Sequence, residues 1–214
     1  MSQLRITEIF YSLQGEARTI GLPTAFVRLT GCPLRCQYCD TAYAFSGGEM
    51  QSIDQILEKV DSLQARYVTV TGGEPLAQPG CMGLLTALAD AGYKVSLETS
   101  GAMNIEGVDP RISVVMDLKT PDSGELERNL YDNIAHLKPL DQVKFVICSR
   151  KDYQWAKLQM DQHQLVSRVD DVLFSPSHGE IQPTELANWI VKDNLPVRFQ
   201  MQLHKILWAD KPGY

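Results

Sequence analysis

The chain has 214 residues, 44% of them hydrophobic and 21% charged, which suits one globular domain, residues 1–214, with a substantial core. A formal net charge of −6 and the lack of a basic tract argue against a nucleic-acid surface, since phosphate binding needs clustered Lys and Arg. Residues 1–7 lack the apolar core and small-residue cleavage site of an export signal, and no apolar run reaches the length of a membrane span. The expectation is a cytoplasmic protein with neither nucleic acid nor membrane as a partner.

Short apolar strands alternate with stretches of helical period. A strand is predicted at 25–29, then a helix at 53–65, capped by Ser52, with Ile53, Ile56, Leu57 and Val60 on one face. A strand at 67–70, a helix at 83–91, and strands at 94–98 and 113–117 follow. A helix at 126–136, a strand at 142–147 and a helix at 153–163 come next. The last elements are a strand at 172–175, a helix at 184–191 opened by Pro183, and a strand at 197–202. This βα alternation predicts a mainly parallel sheet covered by helices, either an incomplete barrel or an open doubly wound sheet. In both, functional residues gather where strands end. Cys32 follows the first of these strands, Thr71-Gly72-Gly73-Glu74-Pro75 the second, Thr99-Ser100-Gly101 the third and Lys119 the fourth. One shared site is the economical reading.

Cysteines stand at 32, 36, 39, 81 and 148. An odd number, with three inside eight residues, points to metal ligands and not to a disulfide framework. Thiolates spaced four and then three apart can hold three corners of a [4Fe–4S] cubane, leaving one iron open to a small molecule. A zinc knuckle completed by Cys81, Cys148 or His178 is the competing reading of the spacing. Cys81 and Cys148 are otherwise given no chemistry. By its own chemistry the double glycine lets a ligand approach the backbone, with Glu74 and nearby carbonyls as acceptors for an ammonium.

The Cys32-x-x-x-Cys36-x-x-Cys39 run, Tyr38 before its last cysteine and the Gly72-Gly73-Glu74-Pro75 turn resemble the radical S-adenosylmethionine (SAM) superfamily. More narrowly, Leu13-Gln14-Gly15-Glu16, Arg28, Cys39-Asp40-Thr41, Glu98-Thr99-Ser100-Gly101 and Met201-Gln202-Leu203-His204-Lys205 resemble the 7-carboxy-7-deazaguanine synthase family. The resemblance implies an α/β, incomplete TIM-like βα barrel of mainly parallel strands. It also implies a ring-contracting lyase that turns 6-carboxy-5,6,7,8-tetrahydropterin into 7-carboxy-7-deazaguanine and ammonia, for queuosine or other deazapurines. The implied cofactors are a [4Fe–4S] cluster on Cys32, Cys36 and Cys39, SAM that is regenerated, and Mg2+ with Thr41 as a ligand.

The resemblance further implies that Gln37, Tyr38, Cys39, Gly73, Asp117, Leu118, Lys119, Ser175, Pro176, Ser177 and His178 contact SAM. Leu13, Gln14, Gly15, Arg28 and Thr71 would contact the pterin, as would Tyr214 if the tail folds inward. No side chain is expected to act as a catalytic acid or base, the radical being carried by SAM. A flavodoxin or ferredoxin as electron donor and a homodimer are implied in the same way. One departure stands out: the family commonly has Gly where this chain has Ala17. The competing functions are an activating enzyme that makes a glycyl radical on a partner protein, and a non-catalytic zinc or iron–sulfur module.

Overall fold

The computed structural model describes residues 3–209, 211 and 213. Nine strands form one sheet: β1 (Gln3–Leu13), β2 (Pro23–Leu29), β3 (Glu49–Ser52), β4 (Tyr67–Gly72), β5 (Lys94–Thr99), β6 (Ser113–Asp117), β7 (Gln142–Ile147), β8 (Asp171–Pro176) and β9 (Arg198–Phe199). Their order is β3-β1-β2-β4-β5-β6-β7-β8-β9. From β2 onward every neighbour is parallel, while β1 runs antiparallel to both β2 and β3. The helices are α1 (Ile53–Ser62), α2 (Cys81–Asp90), α3 (Arg150–Gln162), α4 (Leu165–Arg168), α5 (Pro183–Lys192) and α6 (Leu203–Trp208). The architecture is an incomplete βα barrel. Among the described residues no helix is long and apolar enough to cross a membrane.

Alternation along each strand separates two faces. Val68 and Val70 of β4, and Val95 and Leu97 of β5, point outward into a core completed by Ile56 and Val60 of α1 and Leu84, Leu85 and Leu88 of α2. Val143 and Phe145 of β7 and Phe174 of β8 form a second outward core with Tyr153 of α3 and Leu186 of α5. The intervening residues, among them Thr71, Glu98, Asp117 and Lys144, face the inside. Ser52 caps α1 as expected, its hydroxyl accepting from the Gln55 backbone N–H at 3.2 Å, and the box is closed by the Gln55 side-chain oxygen, which accepts from Ser52 N–H at 2.8 Å.

Strands β1 and β3 and helices α4 and α6 are additions to the elements expected from sequence, and two expected elements take another form. Strand β1 breaks its own alternation with a bulge: Ile6 pairs with Leu29 but Glu8 pairs with Arg28, leaving Thr7 as the extra residue. Leu4 and Ile6 therefore enter the outer core while Glu8 and Phe10 turn the other way, and no single period marks the strand. The helix expected at 126–136 is two 3-10 turns, Leu126–Arg128 and Tyr131–His136. Asn129 breaks it by pairing with the Lys119 backbone, accepting from its N–H at 2.8 Å and donating to its carbonyl at 2.9 Å. The strand expected at 197–202 shrinks to Arg198–Phe199, at the open edge of the sheet.

Candidate active site

The inward side chains and the loops at the strand ends enclose a cavity of about 410 Å3, within the range of ordinary ligand sites. Its wall brings together Leu13, Gln14, Gly15, Arg28, Cys32, Cys36, Tyr38, Cys39, Thr41, Thr71, Gly73, Asp117, Lys119, Ser175, Pro176, Ser177 and His178. Two expected residues are absent from it. Gln37 is exposed and packs against Gly124, its backbone N–H being held by the Ser123 carbonyl at 3.0 Å. Leu118 is 1% exposed and belongs to the outer core, because its neighbours Asp117 and Lys119 take the inward positions. Tyr214 lies outside the described residues.

The cysteine loop is clasped from several sides. Gly31 N–H donates to Ala44 at 2.8 Å, Gly73 N–H to Leu29 at 3.1 Å and Glu74 N–H to Gly31 at 2.8 Å, which stitches the loop to the end of β4. A side chain on Gly73 would run into Gly31 and Cys32, so only glycine permits this approach. Gln78 adds two donations from its amide, to the carbonyls of Arg5 and Thr30, both at 2.9 Å. Arg35 lies over the Phe45 ring at 4.2 Å and donates to the carbonyls of Cys32 at 2.8 Å and Leu34 at 2.6 Å. Its backbone N–H is held by Glu125.

All three thiols are free, and each is neither buried nor fully exposed. Burial pushes the thiols of Cys32 and Cys36 up, while the Lys119 ammonium pulls both down. The other two cysteines do not join them. Cys81, the first residue of α2, is fully buried in the outer core, and Cys148 lies off the cavity wall, with burial pushing both thiols up to about 12. Among the described residues no three His, Cys, Asp or Glu side chains close on a single metal-ion centre. Three thiols on one cavity wall, with no fourth cysteine beside them, fit a cluster that keeps an open iron.

Glu74 takes a different role from the one expected. It is 0% exposed, and its carboxylate accepts from Leu76 N–H at 3.0 Å, Thr99 Oγ1 at 3.0 Å, Ser100 N–H at 2.6 Å and Ser100 Oγ. It ties the end of β4 to the end of β5 and has no free acceptor to offer an ammonium. That leaves the backbone carbonyls of the turn.

Deeper in the cavity lies a network of charged and polar groups. Lys144 Nζ reaches Glu16 at 2.7 Å and Asp117 at 3.3 Å, and Lys119 Nζ reaches Asp117 at 2.7 Å. Burial works against ionising Asp117, but the two ammonium groups outweigh it and hold its carboxyl below the usual range. Burial likewise opposes the charge on both lysines, but Asp117 and the other acidic groups around them together more than restore it. Glu98 differs: burial pushes its carboxyl up to about 7, with Lys144 pulling it back only in part. Gln14 Nε2 lies 3.0 Å from Thr69 Oγ1 and 3.4 Å from Glu98.

Arg28 donates from Nε to Glu8 at 2.7 Å and sits between the rings of Phe10 and Tyr43, 5.8 Å from each. Its two terminal nitrogens have no hydrogen bond among the described residues. The Thr41 hydroxyl caps no turn and stands 3.8 Å from Cys39 Sγ. Glu8, Glu16, Glu98, Lys144 and His204 were not singled out from sequence as site residues, yet all but Glu8 line the cavity and Glu8 fixes Arg28. Lys144 and Glu98 were legible in principle, as charges inside otherwise apolar strands.

The Radical SAM superfamily pattern matches residues 26–120. The chain is 45% identical over 208 residues to a 7-carboxy-7-deazaguanine synthase of Chlorobaculum tepidum, covering 96% of this chain and 94% of that one. It is 41% identical over 220 residues to one of Koribacter versatilis, covering 96% and 97%. Among solved structures it resembles QueE from Escherichia coli in fold, with a TM-score of 0.73 at 24% identity over 94% of this chain and 95% of that one.

Proposed function

The chain belongs to the 7-carboxy-7-deazaguanine synthases of the radical SAM superfamily, and from that premise we propose how its own residues divide the work. The reaction contracts the ring of 6-carboxy-5,6,7,8-tetrahydropterin to 7-carboxy-7-deazaguanine with loss of ammonia, and draws electrons from an external reductant. The cluster and SAM, when bound, supply the radical that starts the reaction.

Cys32, Cys36 and Cys39 hold the cluster, and Arg35 and Gln78 fix the loop that carries them. Backbone carbonyls beside Gly73 receive the amino group of SAM, while Tyr38, Asp117, Lys119 and residues 175–178 wall the rest of that cofactor. Leu13, Gln14, Gly15 and Thr71 line the pterin. Arg28, braced on one side by Glu8, presents its two terminal nitrogens to the substrate carboxylate as a planar fork. Glu98 holds a proton over part of the neutral range at the wall of the same space.

Mg2+ belongs to this reading as well. Thr41 offers one oxygen on the cavity wall, and a hard cation held mainly by water and substrate oxygens needs little more from the protein. Such an ion would draw on the substrate carboxylate beside Arg28. By family resemblance the enzyme works as a single-domain cytoplasmic homodimer reduced by a flavodoxin or ferredoxin.

The observation that carries the reading is that one wall holds the three cysteines, the Gly73 turn and Arg28. The test is an anaerobic assay with reductant, SAM, Mg2+ and the carboxypterin, followed for the deazapurine. If 5′-deoxyadenosine forms without the deazapurine, the substrate assignment fails. Thr41→Ala is expected to raise the Mg2+ concentration needed for half-maximal rate about tenfold at unchanged iron content. An unchanged Mg2+ response removes Thr41 from the metal site.

A further inference from the structure

Gln202, His204 and Lys205 lie on the cavity wall, and α6, at whose start they stand, is short and has no buried residue. Six residues do not form a stable helix by themselves, so its order depends on what ties it down. At one side, Leu203 N–H donates to the Gly15 carbonyl at 3.0 Å, and the His204 ring lies so close to Gly15 that a side chain there would strike Nδ1. At the other, Gln202 Nε2 donates to Asp40 Oδ2 at 3.2 Å, and Lys205 Nζ stands 3.7 Å from the same oxygen. Asp40 sits between Cys39 and Thr41, and its carboxylate has no other polar partner among the described residues. It is directed wholly at the C-terminal segment.

We propose that Asp40 is a positioning residue that latches α6 across the cavity, tying the cysteine loop to the Gly15 segment and holding His204 against Gly15. This rests on the reading of the cavity as the pterin site. With the latch closed, the strap shields the reacting space from water and keeps the 13–16 segment in register with the cofactor side. With it open, α6 loses its tie to the cysteine loop while its contact to Gly15 remains.

Hydrogen–deuterium exchange of the cluster-loaded enzyme, without substrate, tests the latch directly. In Asp40→Ala, exchange across residues 203–209 is expected to quicken about tenfold, with iron and sulfide content as in the wild type. KM for the carboxypterin should rise about tenfold, and kcat should change far less. Asp40→Asn, which still accepts from Gln202, should restore part of both. The double variant Gln202→Ala/Lys205→Ala leaves the cysteine loop intact and should quicken exchange over the same residues. It carries the test if Asp40→Ala loses iron. Wild-type exchange at 203–209 in the double variant overturns the latch, as does a raised KM in Asp40→Ala with exchange unchanged. The exchange experiment needs no turnover, so an enzyme that made no deazapurine would sink the substrate assignment and leave the latch standing.

Discussion

Leu97 and Glu98 are neighbours on β5 with opposite fates. Leu97 points outward into a dry core under α2 and is 0% exposed, while Glu98 points inward to the cavity and has its carboxyl pushed up to about 7. The same contrast repeats along the sheet: Val70 against Thr71, Met116 against Asp117, Val143 against Lys144. The outer face carries apolar area that holds the barrel together; the inner face carries polar groups whose cost is met by pairing with one another. Stability and chemistry are thus assigned by the parity of a position. Variants on each side should separate them.

The largest effect is expected where the two faces meet, at the strand ends. Glu74→Ala removes one acceptor and orphans the donors of Leu76, Thr99 and Ser100, all buried or half-buried. With about 1–3 kcal/mol for each unsatisfied buried group, the loss should be roughly 5 kcal/mol or more, a large share of the stability of a domain. Chemical denaturation should show it before any cofactor is added. An apo-protein as stable as the wild type would mean that Glu74 serves the cofactor and not the sheet.

Leu97→Ala comes next. It opens a void in the outer core and should cost about 2–5 kcal/mol, read as a lower denaturant midpoint. KM for the carboxypterin in the folded variant should stay within about twofold of the wild type, since the fold-change that a lost substrate contact brings is far larger. A raised KM would break the separation of the faces.

Much of this plan is legible in the chain itself. The parallel strands β2 and β4 to β8, the cap at Ser52 and the gathering of Cys32, Gly73 and Lys119 at strand ends follow from alternation and glycine placement. What escaped had physical reasons. The bulge at Thr7 scrambled the alternation of β1, so neither that strand nor Glu8 stood out. Asn129 turned a helical-looking stretch toward Lys119, a contact no local pattern records. The resemblance implied glycine where this chain has Ala17, and the backbone there is of the kind that favours glycine: φ is 61°, in the left-handed region. Its methyl packs with Val115 and Leu173, and its N–H donates to Gln200 at 2.6 Å, which holds the strained turn in place.

The smallest expected effect is the most specific to the inner face. Between the ordinary Glu value of 4.5 and about 7, the native protein binds a proton at Glu98 that the unfolded chain has released. The group therefore lowers stability progressively as pH rises through that window, and the loss is complete above it. Converting the whole shift would give at most about 3 kcal/mol, and water on the cavity side should reduce this to about 1–2 kcal/mol. Glu98→Gln keeps the acceptor that faces Gln14 and removes the titration. The wild-type unfolding free energy minus that of the variant should then fall by about 1–2 kcal/mol from pH 5 to pH 8, with other titrating groups cancelling in the difference. Denaturant unfolding of both proteins at several pH values measures it. A flat difference would show that Glu98 ionises as an exposed glutamate does, and the inner face would lose a carboxyl poised to hold a proton near neutral pH.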